Sequence, residues 1–374
     1  MDLEQEFPLK SDLIYLNHAA VSPWPRRTCQ AVEQFAHENM TCGSMRYLTW
    51  LETESQLRHS IQQLINAPSS QDIALLKNTS EALSVVAYGL DWRANDNVVI
   101  SNEEFPSNRI VWESLQSQGV EVKMAELTVP NRSPEEALIS LCDNNTRILS
   151  ISSIQYASGL RLDLPVLGQY CRDNKILFCV DAIQSVGAVA FDVQQANIDF
   201  AMADGHKWML GPEGLAFFYS SEHAREHLKL NQYGWHMVKH MGEFDRKDWS
   251  IAPDSRRFEC GSPNTLGIHA LNASISLLLE VGIETVESTI QQRISDIINF
   301  LQTCEHTTLL SNPEPSRLGG IVTFQPVSQS AEVLYKRLTD HQVACAMRGG
   351  GIRFSPHFYT PRDKIQLALE MVTG

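Results

Sequence analysis

Two apolar runs, each of strand length and each ending in an aspartate, constrain this chain more than any other feature. Ile176-Leu177-Phe178-Cys179-Val180 runs into Asp181-Ala182-Ile183-Gln184. Ile198-Asp199-Phe200-Ala201-Met202-Ala203 runs into Asp204-Gly205-His206-Lys207-Trp208. Runs of this length and composition predict buried strands. Around them, strand-like segments (Ile73–Leu76, Asn97–Ile100, Ile148–Ile151, Gly214–Tyr219) alternate with helical ones (from Ser80 onward, and Pro165–Asn174). Such alternation predicts an α/β architecture with a mostly parallel sheet flanked by helices. In open sheets of this kind, ligands bind at the carboxyl ends of the strands.

Asp181 and Lys207 are therefore expected on one edge of the sheet, and together they suit pyridoxal phosphate. The lysine makes a Schiff base and the carboxylate pairs with the protonated ring nitrogen. Burial lowers a lysine pKa and makes it nucleophilic, so Lys207 is the expected catalytic residue. Gln184 is placed to donate to the phenolic oxygen of the cofactor, and His206 to contact its phosphate. Asp181 as a plain helix cap and Lys207 as a surface lysine are the alternatives that the pairing disfavours.

Lys77-Asn78-Thr79-Ser80-Glu81-Ala82 reads as a strand-to-helix junction whose exposed N–H groups favour a phosphate. Thr79 and Ser80 are also ordinary N-cap types. Phe105, in Glu104-Phe105-Pro106-Ser107-Asn108, is an aromatic after a strand, suited to stacking on a pyridine ring or to core packing. Arg348 and Arg353 bracket three glycines, and Arg353 is the expected clamp on a substrate α-carboxylate. His236 and His240 have a metal-like spacing but neither an intervening glutamate nor a third ligand, so no metal site is expected. Trp235 and His236 are instead read as lining the substrate entrance.

Composition narrows the partners. A net charge of −14 disfavours nucleic acid and anionic membranes. No apolar run approaches the roughly 18 residues of a membrane span. The acidic Met1–Glu6 start lacks a signal-peptide pattern, and the eight scattered cysteines form no C-x-x-C pair. A cytoplasmic enzyme with reduced thiols is the expectation. From about Gly267 helices (Ile268–Val281, Glu284–Cys304, Ala331–His341, Pro361–Met371) mix with short strand-like stretches (Gly320–Phe324, Val343–Met347, Ile352–Phe354), predicting a smaller α+β domain.

Taken in order, these residues resemble the class V aminotransferase family of fold-type-I pyridoxal-phosphate enzymes. That family includes cysteine desulfurases, selenocysteine lyases, kynureninases and isopenicillin-N epimerases. The resemblance runs from Tyr15-Leu16-Asn17-His18-Ala19-Ala20 to Ile352-Arg353-Phe354-Ser355-Pro356-His357-Phe358-Tyr359. It implies a large cofactor domain (15–266) built on a seven-stranded sheet and a small C-terminal domain (267–374), with segment 1–14 packing on the latter. It implies that Lys207 carries the cofactor and Asp181 partners its ring nitrogen. Gln184 would serve the phenolic oxygen, and Thr79, Ser80 and His206 the phosphate. Asp204 stands where many relatives carry a phosphate-binding serine, and Phe105 where desulfurases have a stacking histidine. Gln155 is similar to an asparagine near the substrate carboxylate. Arg257–Asn264 resembles a loop that reaches the neighbouring subunit's phosphate, so Ser262 would act in trans within a homodimer with shared active sites.

One departure narrows the activity. Desulfurases carry a mobile loop with a nucleophilic cysteine shortly after the position of Arg348, where this chain has only Gly349-Gly350-Gly351. Cys345 reads as a strand cysteine, and Cys260 stands where no thiol is required. Persulfide-forming desulfuration is therefore disfavoured. Transamination is the nominal reading, with β-elimination of a C–S bond or epimerisation as alternatives. A non-catalytic pyridoxal-phosphate-binding regulator is the alternative of another class.

Overall fold

Seven strands pair into one sheet in the computed structural model of the chain, which describes residues 2–373. Met1 and Gly374, the ends of the expected terminal segments, lie outside the described residues. The strands are β1 (Ile73–Leu76), β2 (Asn97–Ser101), β3 (Glu121–Ala125), β4 (Thr146–Ser152), β5 (Leu177–Asp181), β6 (Phe200–Asp204) and β7 (Ala216–Ser220). Their order across the sheet is β1-β7-β6-β5-β4-β2-β3. Pairing is parallel from β6 to β3, and β7 runs antiparallel to both its neighbours. The link from Asp204 to Ala216 carries no helix, which is too short for a crossover, so the chain returns antiparallel.

Side chains alternate between two cores, as period-two geometry requires. Phe178 and Val180 of β5, with Ala201 and Ala203 of β6, face one core together with the helices Tyr47–Ile65 and Thr265–Val281. Cys179, Phe200 and Met202 face the other, against the helices Thr79–Gly89 and Pro106–Glu113. The edge strand β3 buries only Ala125 and so offers little apolar pattern to a sequence reading.

A second, antiparallel sheet contains β8 (Thr307–Leu309), β9 (Val322–Pro326), β10 (Ala346–Arg348) and β11 (Gly351–Phe354), in the order β10-β11-β9-β8. It packs with the helices Ile283–Thr303, Ala331–Asp340 and Arg362–Thr373 in a third core. The expected single stretch Val343–Met347 is broken. Val343–Ala344 pairs in parallel with Ile14–Tyr15, while β10 joins the antiparallel sheet. The helix Thr265–Val281 is shared, with Ile268 and Leu271 in the first core and Leu277 and Leu278 in the third. Phe7 stacks on Tyr359 with ring centroids 3.5 Å apart, tying the start of the chain to its end. Among the described residues no single helix is long and apolar enough to cross a membrane.

Candidate active site

The carboxyl ends of β1, β2, β4, β5 and β6 open onto one cavity of about 310 Å³. Thr79, Ser80, Phe105, Asp181, Gln184, Asp204, His206, Lys207 and Arg353 all line it, although they span most of the chain. Size does not single this cavity out, since hollows of about 410 and 1230 Å³ lie elsewhere. Its chemistry does: here a buried lysine faces a buried aspartate.

Lys207 is 8% exposed and Asp181 2%. Asp181 ends β5 and its Cα pairs with Met202 on β6, so parallel register brings the two chemistry-bearing turns side by side. The Asp181 carboxylate accepts from the Ile183 N–H at 3.0 Å and makes no salt bridge among the described residues. Burial pushes it up to about 7, against the lowering effects of that hydrogen bond and of Lys207. Burial likewise pushes the Lys207 ammonium down to about 8, with Asp181 opposing and Arg353 reinforcing. Each charge is thus short of compensation, and the cavity favours a cation beside Asp181 and a neutral amine at Lys207. Lys207 Nζ lies 5.5 Å from the centroid of the Phe105 ring. Phe105 meets Tyr156 edge-on and is partly exposed to the cavity, so it is not a core residue.

Gln184 is held at both ends of its amide. Its Oε1 accepts from Trp208 Nε1 at 2.7 Å and its Nε2 donates to the Ala19 carbonyl at 3.1 Å. One N–H remains free. At the other end of the cavity, the helix Thr79–Gly89 is capped by Asn78, whose side chain accepts from the Glu81 N–H, and not by Thr79 or Ser80. The cap leaves Thr79 Oγ1 buried without a partner, while Ser80 Oγ donates to Ser107 Oγ at 2.8 Å. His206 Nδ1 and Asp204 Oδ1 are 3.0 Å apart, yet their geometry does not make a hydrogen bond and both atoms stay unpartnered. Thr79 Oγ1 at the helix N-terminus and His206 Nδ1 can both donate to an anionic group, whereas the unpartnered Asp204 carboxylate oxygen can only accept and opposes one. The residues present therefore fit pyridoxal phosphate at its ring, phenolic and phosphate ends.

Arg353, on β11, is 2% exposed. Its Nη1 donates to the Tyr156 carbonyl at 2.7 Å, its Nε has no partner, and it forms no salt bridge among the described residues. A structural ion pair, the alternative for this residue, is not what it makes. Burial, with Arg348 adding, pushes its guanidinium down to about 10. The link between β10 and β11 is a two-residue turn, Gly349-Gly350, with φ of 57° and 81°. Positive φ at both positions is the signature of a type I′ hairpin, which glycine adopts without strain. No loop projects from it.

Other residues fall elsewhere. Gln155 does not line the cavity; it is buried, with Nε2 near Ser101 Oγ and Glu104 Oε1 at 3.3 Å each and Oε1 unpartnered. Ser262 is exposed and outside the cavity of its own chain. Trp235 lines a different hollow, with Tyr233 and Trp249, so it does not flank the entrance read from the sequence. His236 is buried instead beside Glu54 and Glu259, where the Arg58 guanidinium bonds both carboxylates. His240 lies apart, 3.5 Å from Glu243. Cys345 is buried and its thiol is pushed up to about 12 by burial. Cys260 Sγ contacts Gln232.

The sequence reading missed a support behind the lysine. His357 Nε2 meets the Trp208 carbonyl at 3.1 Å, and its Nδ1 accepts from the Phe358 N–H, so the ring is neutral with its proton on Nε2. His18 bridges the Ser355 carbonyl at 2.8 Å and the Tyr359 hydroxyl at 2.7 Å. A Cβ on Gly320 would sit 2.3 Å from the Trp208 ring, so glycine is what lets this backbone pack so closely on the indole next to Lys207. The only sequence sign of this cluster is that His18, His357 and Tyr359 fall within the two motifs quoted above.

Comparison with known proteins agrees with the geometry. Residues 14–364 match the family described as aminotransferase class-V. A probable cysteine desulfurase of Methanothermobacter thermautotrophicus is 29% identical over all of this chain and 98% of its own length. Two structures of C-DES share the fold. One is a mutant with glycine covalently linked to the PLP cofactor (TM-score 0.91, 19% identity, 99% of this chain and 98% of that one). In the other, this cystine C-S lyase is in complex with its reaction product cysteine persulfide (TM-score 0.90, 20% identity, 98% and 99%). With nearly its whole length matched, the chain belongs to the class V aminotransferase family.

Proposed function

We propose that the protein is a pyridoxal-phosphate-dependent enzyme that acts on an α-amino acid and cleaves a C–S bond by β-elimination. One observation carries the reading: buried Lys207, Asp181 and Arg353 face a single cavity, and among the described residues neither Asp181 nor Arg353 makes a salt bridge. When bound, pyridoxal phosphate supplies an aldehyde for the substrate amine and a ring that withdraws electrons from the α-carbon. Asp181 would hold the ring nitrogen protonated, and the free N–H of Gln184 would serve the phenolic oxygen. Thr79 Oγ1, the helix N-terminus and His206 would hold the phosphate, and Phe105 would pack against the ring. Arg353 holds the substrate carboxylate. Lys207 Nζ, pushed down to about 8 by burial, takes the proton from the α-carbon.

The names of the relatives direct attention to sulfur-containing amino acids. The Gly349-Gly350 turn leaves no place for a cysteine loop and Cys345 is buried outside the cavity, so sulfur is released without passing through a protein thiol. Transamination, the nominal reading from sequence, shares every step up to proton removal, and nothing in the cavity favours it over elimination. A homodimer fits the exposed Ser262 loop and the exposed apolar side chains Met40, Met45 and Leu48. With L-cysteine, the pyridoxal-phosphate-loaded protein is expected to form pyruvate, ammonia and sulfide. Alanine, with a persulfide mapped to a cysteine of this chain, would contradict the reading.

A further inference from the structure

Glu104 is a buried carboxylate that the steps above leave unused. It is 6% exposed and stands next to Phe105. Its oxygens accept from Ser101 Oγ at 2.7 Å, Asn108 Nδ2 at 2.8 Å, Ser152 Oγ at 2.6 Å, the Ser152 N–H at 2.9 and 3.0 Å, and Gln155 Nε2 at 3.3 Å. Every partner donates and none is cationic, and Glu104 makes no salt bridge among the described residues. That shell suits an ionised carboxylate, which is acceptor-only. It also accounts for Gln155, whose amide serves this carboxylate and does not reach the cavity.

The position of the charge is set by the sheet. Ser152, which binds Glu104 through both N–H and hydroxyl, is the register partner of Asp181 on the adjacent strand. Asn108, the other main donor, accepts from Ser150 Oγ, whose register partner is Cys179, two residues further from the cavity. Glu104 thus places a fixed negative charge level with Asp181, one strand away. Tying strand ends together needs only neutral hydrogen bonds. An unpaired buried carboxylate is a costly way to do it, unless the charge itself has a use.

We infer that Glu104 is a positioning residue that acts through Asp181, its fixed charge biasing the site toward holding a protonated ring against that aspartate. The inference rests on the pyridoxal-phosphate reading above. Glu104 is among the charges that raise Asp181, after burial itself. The other groups facing Asp181 are Lys207 and Asp204 from the following strand and its turn. Arg353 and Arg348 act on Lys207 from the far side. Glu103, bonded by Ser158 Oγ, lies beside Glu104, and Cys179 shares the Asp181 strand. All of these stay in place when Glu104 alone is changed.

The test is a pH titration of the ring-nitrogen NMR shift in protein loaded with pyridoxal phosphate labelled at that nitrogen. In Glu104→Gln the midpoint is expected to fall by about half a pH unit or more, roughly a threefold loss of proton affinity. Ser101→Ala removes one hydrogen bond to Glu104, with the longer ones that Ser101 Oγ accepts from the Glu103 N–H and Gln155 Nε2, and keeps the charge, so it should lower Tm and leave the midpoint unchanged. If Glu104→Gln does not fold, the exchange Glu104→Gln/Asn108→Asp restores a carboxylate and the hydrogen bonds one rung further from Asp181. Its midpoint should still lie below that of the unmodified protein. A midpoint unmoved in the folded charge variant overturns the inference. Failure of the unmodified protein to show any visible band overturns the pyridoxal-phosphate reading instead, so the two failures are distinct.

Discussion

At the scale of single residues, the site is a set of buried charges left short of partners. Arg353 is the clearest case: a guanidinium with one backbone acceptor, an orphaned Nε and, among the described residues, no carboxylate partner. A substrate carboxylate would complete it. Hydrogen bonds to a charged group are worth about 1.5–3 kcal/mol, so Arg353→Gln should lower kcat/KM for the amino acid by roughly ten- to a hundredfold. Steady-state kinetics against Arg348→Gln, whose exposed side chain donates to its neighbour's carbonyl, checks whether the loss belongs to Arg353. An equal loss in both would place the carboxylate elsewhere. Residue types and spacing pointed to Lys207, Asp181, Gln184 and Arg353 in the sequence, and all four line one cavity. Gln155 was misplaced because a single amide carries no mark of whether it faces a ligand or, as here, a buried glutamate. The unpartnered state of Thr79 Oγ1 was equally invisible, because Asn78, Thr79 and Ser80 are all good N-caps and only the structure shows which one caps.

At the scale of elements, strand termini do the positioning. Strands buried on both faces read as continuous apolar runs, which is why β5 and β6 stood out in the sequence. Edge strand β3, with a single buried residue, carried no such run. Strand order was not readable, because pairing partners depend on long-range packing and not on local pattern. The reversal of β7 followed only from the length of its connection. The three glycines after Arg348 were readable as a missing loop, and the hairpin shows the physical form of that absence: a turn with no residue to spare. Val343–Met347 looked like one strand because alternation continues through Cys345, yet the chain changes sheets there.

At the scale of the whole molecule, the start and end of the chain meet behind the cofactor turn. His18, His357 and Tyr359 link the N-terminal segment, the residues after β11 and Trp208. Burial holds His357 down at about 4 and His18 well below the usual histidine range. Unfolded, both would titrate near 6.5. As pH falls from about 6.5 towards 4 the unfolded chain therefore takes up a proton at His357 that the fold refuses, and His18 acts in the same direction. Asp181 works the other way, binding a proton in the fold that the unfolded chain releases. His357 and Asp181 roughly offset each other across that window, so the net cost of acidification comes from His18 and is at most about 1.4 kcal/mol for each pH unit. Urea unfolding at pH 7 and pH 5 measures it. Replacing His357 with Asn should flatten the dependence, and an unchanged slope would contradict the assignment.

Attachment of pyridoxal phosphate to Lys207 can be read by borohydride reduction of the loaded protein followed by peptide mass spectrometry. Reduction should abolish the visible band and leave the cofactor's mass on the peptide carrying Lys207, with no label in Lys207→Ala. Label on another lysine, or a protein that takes up no pyridoxal phosphate, would contradict it.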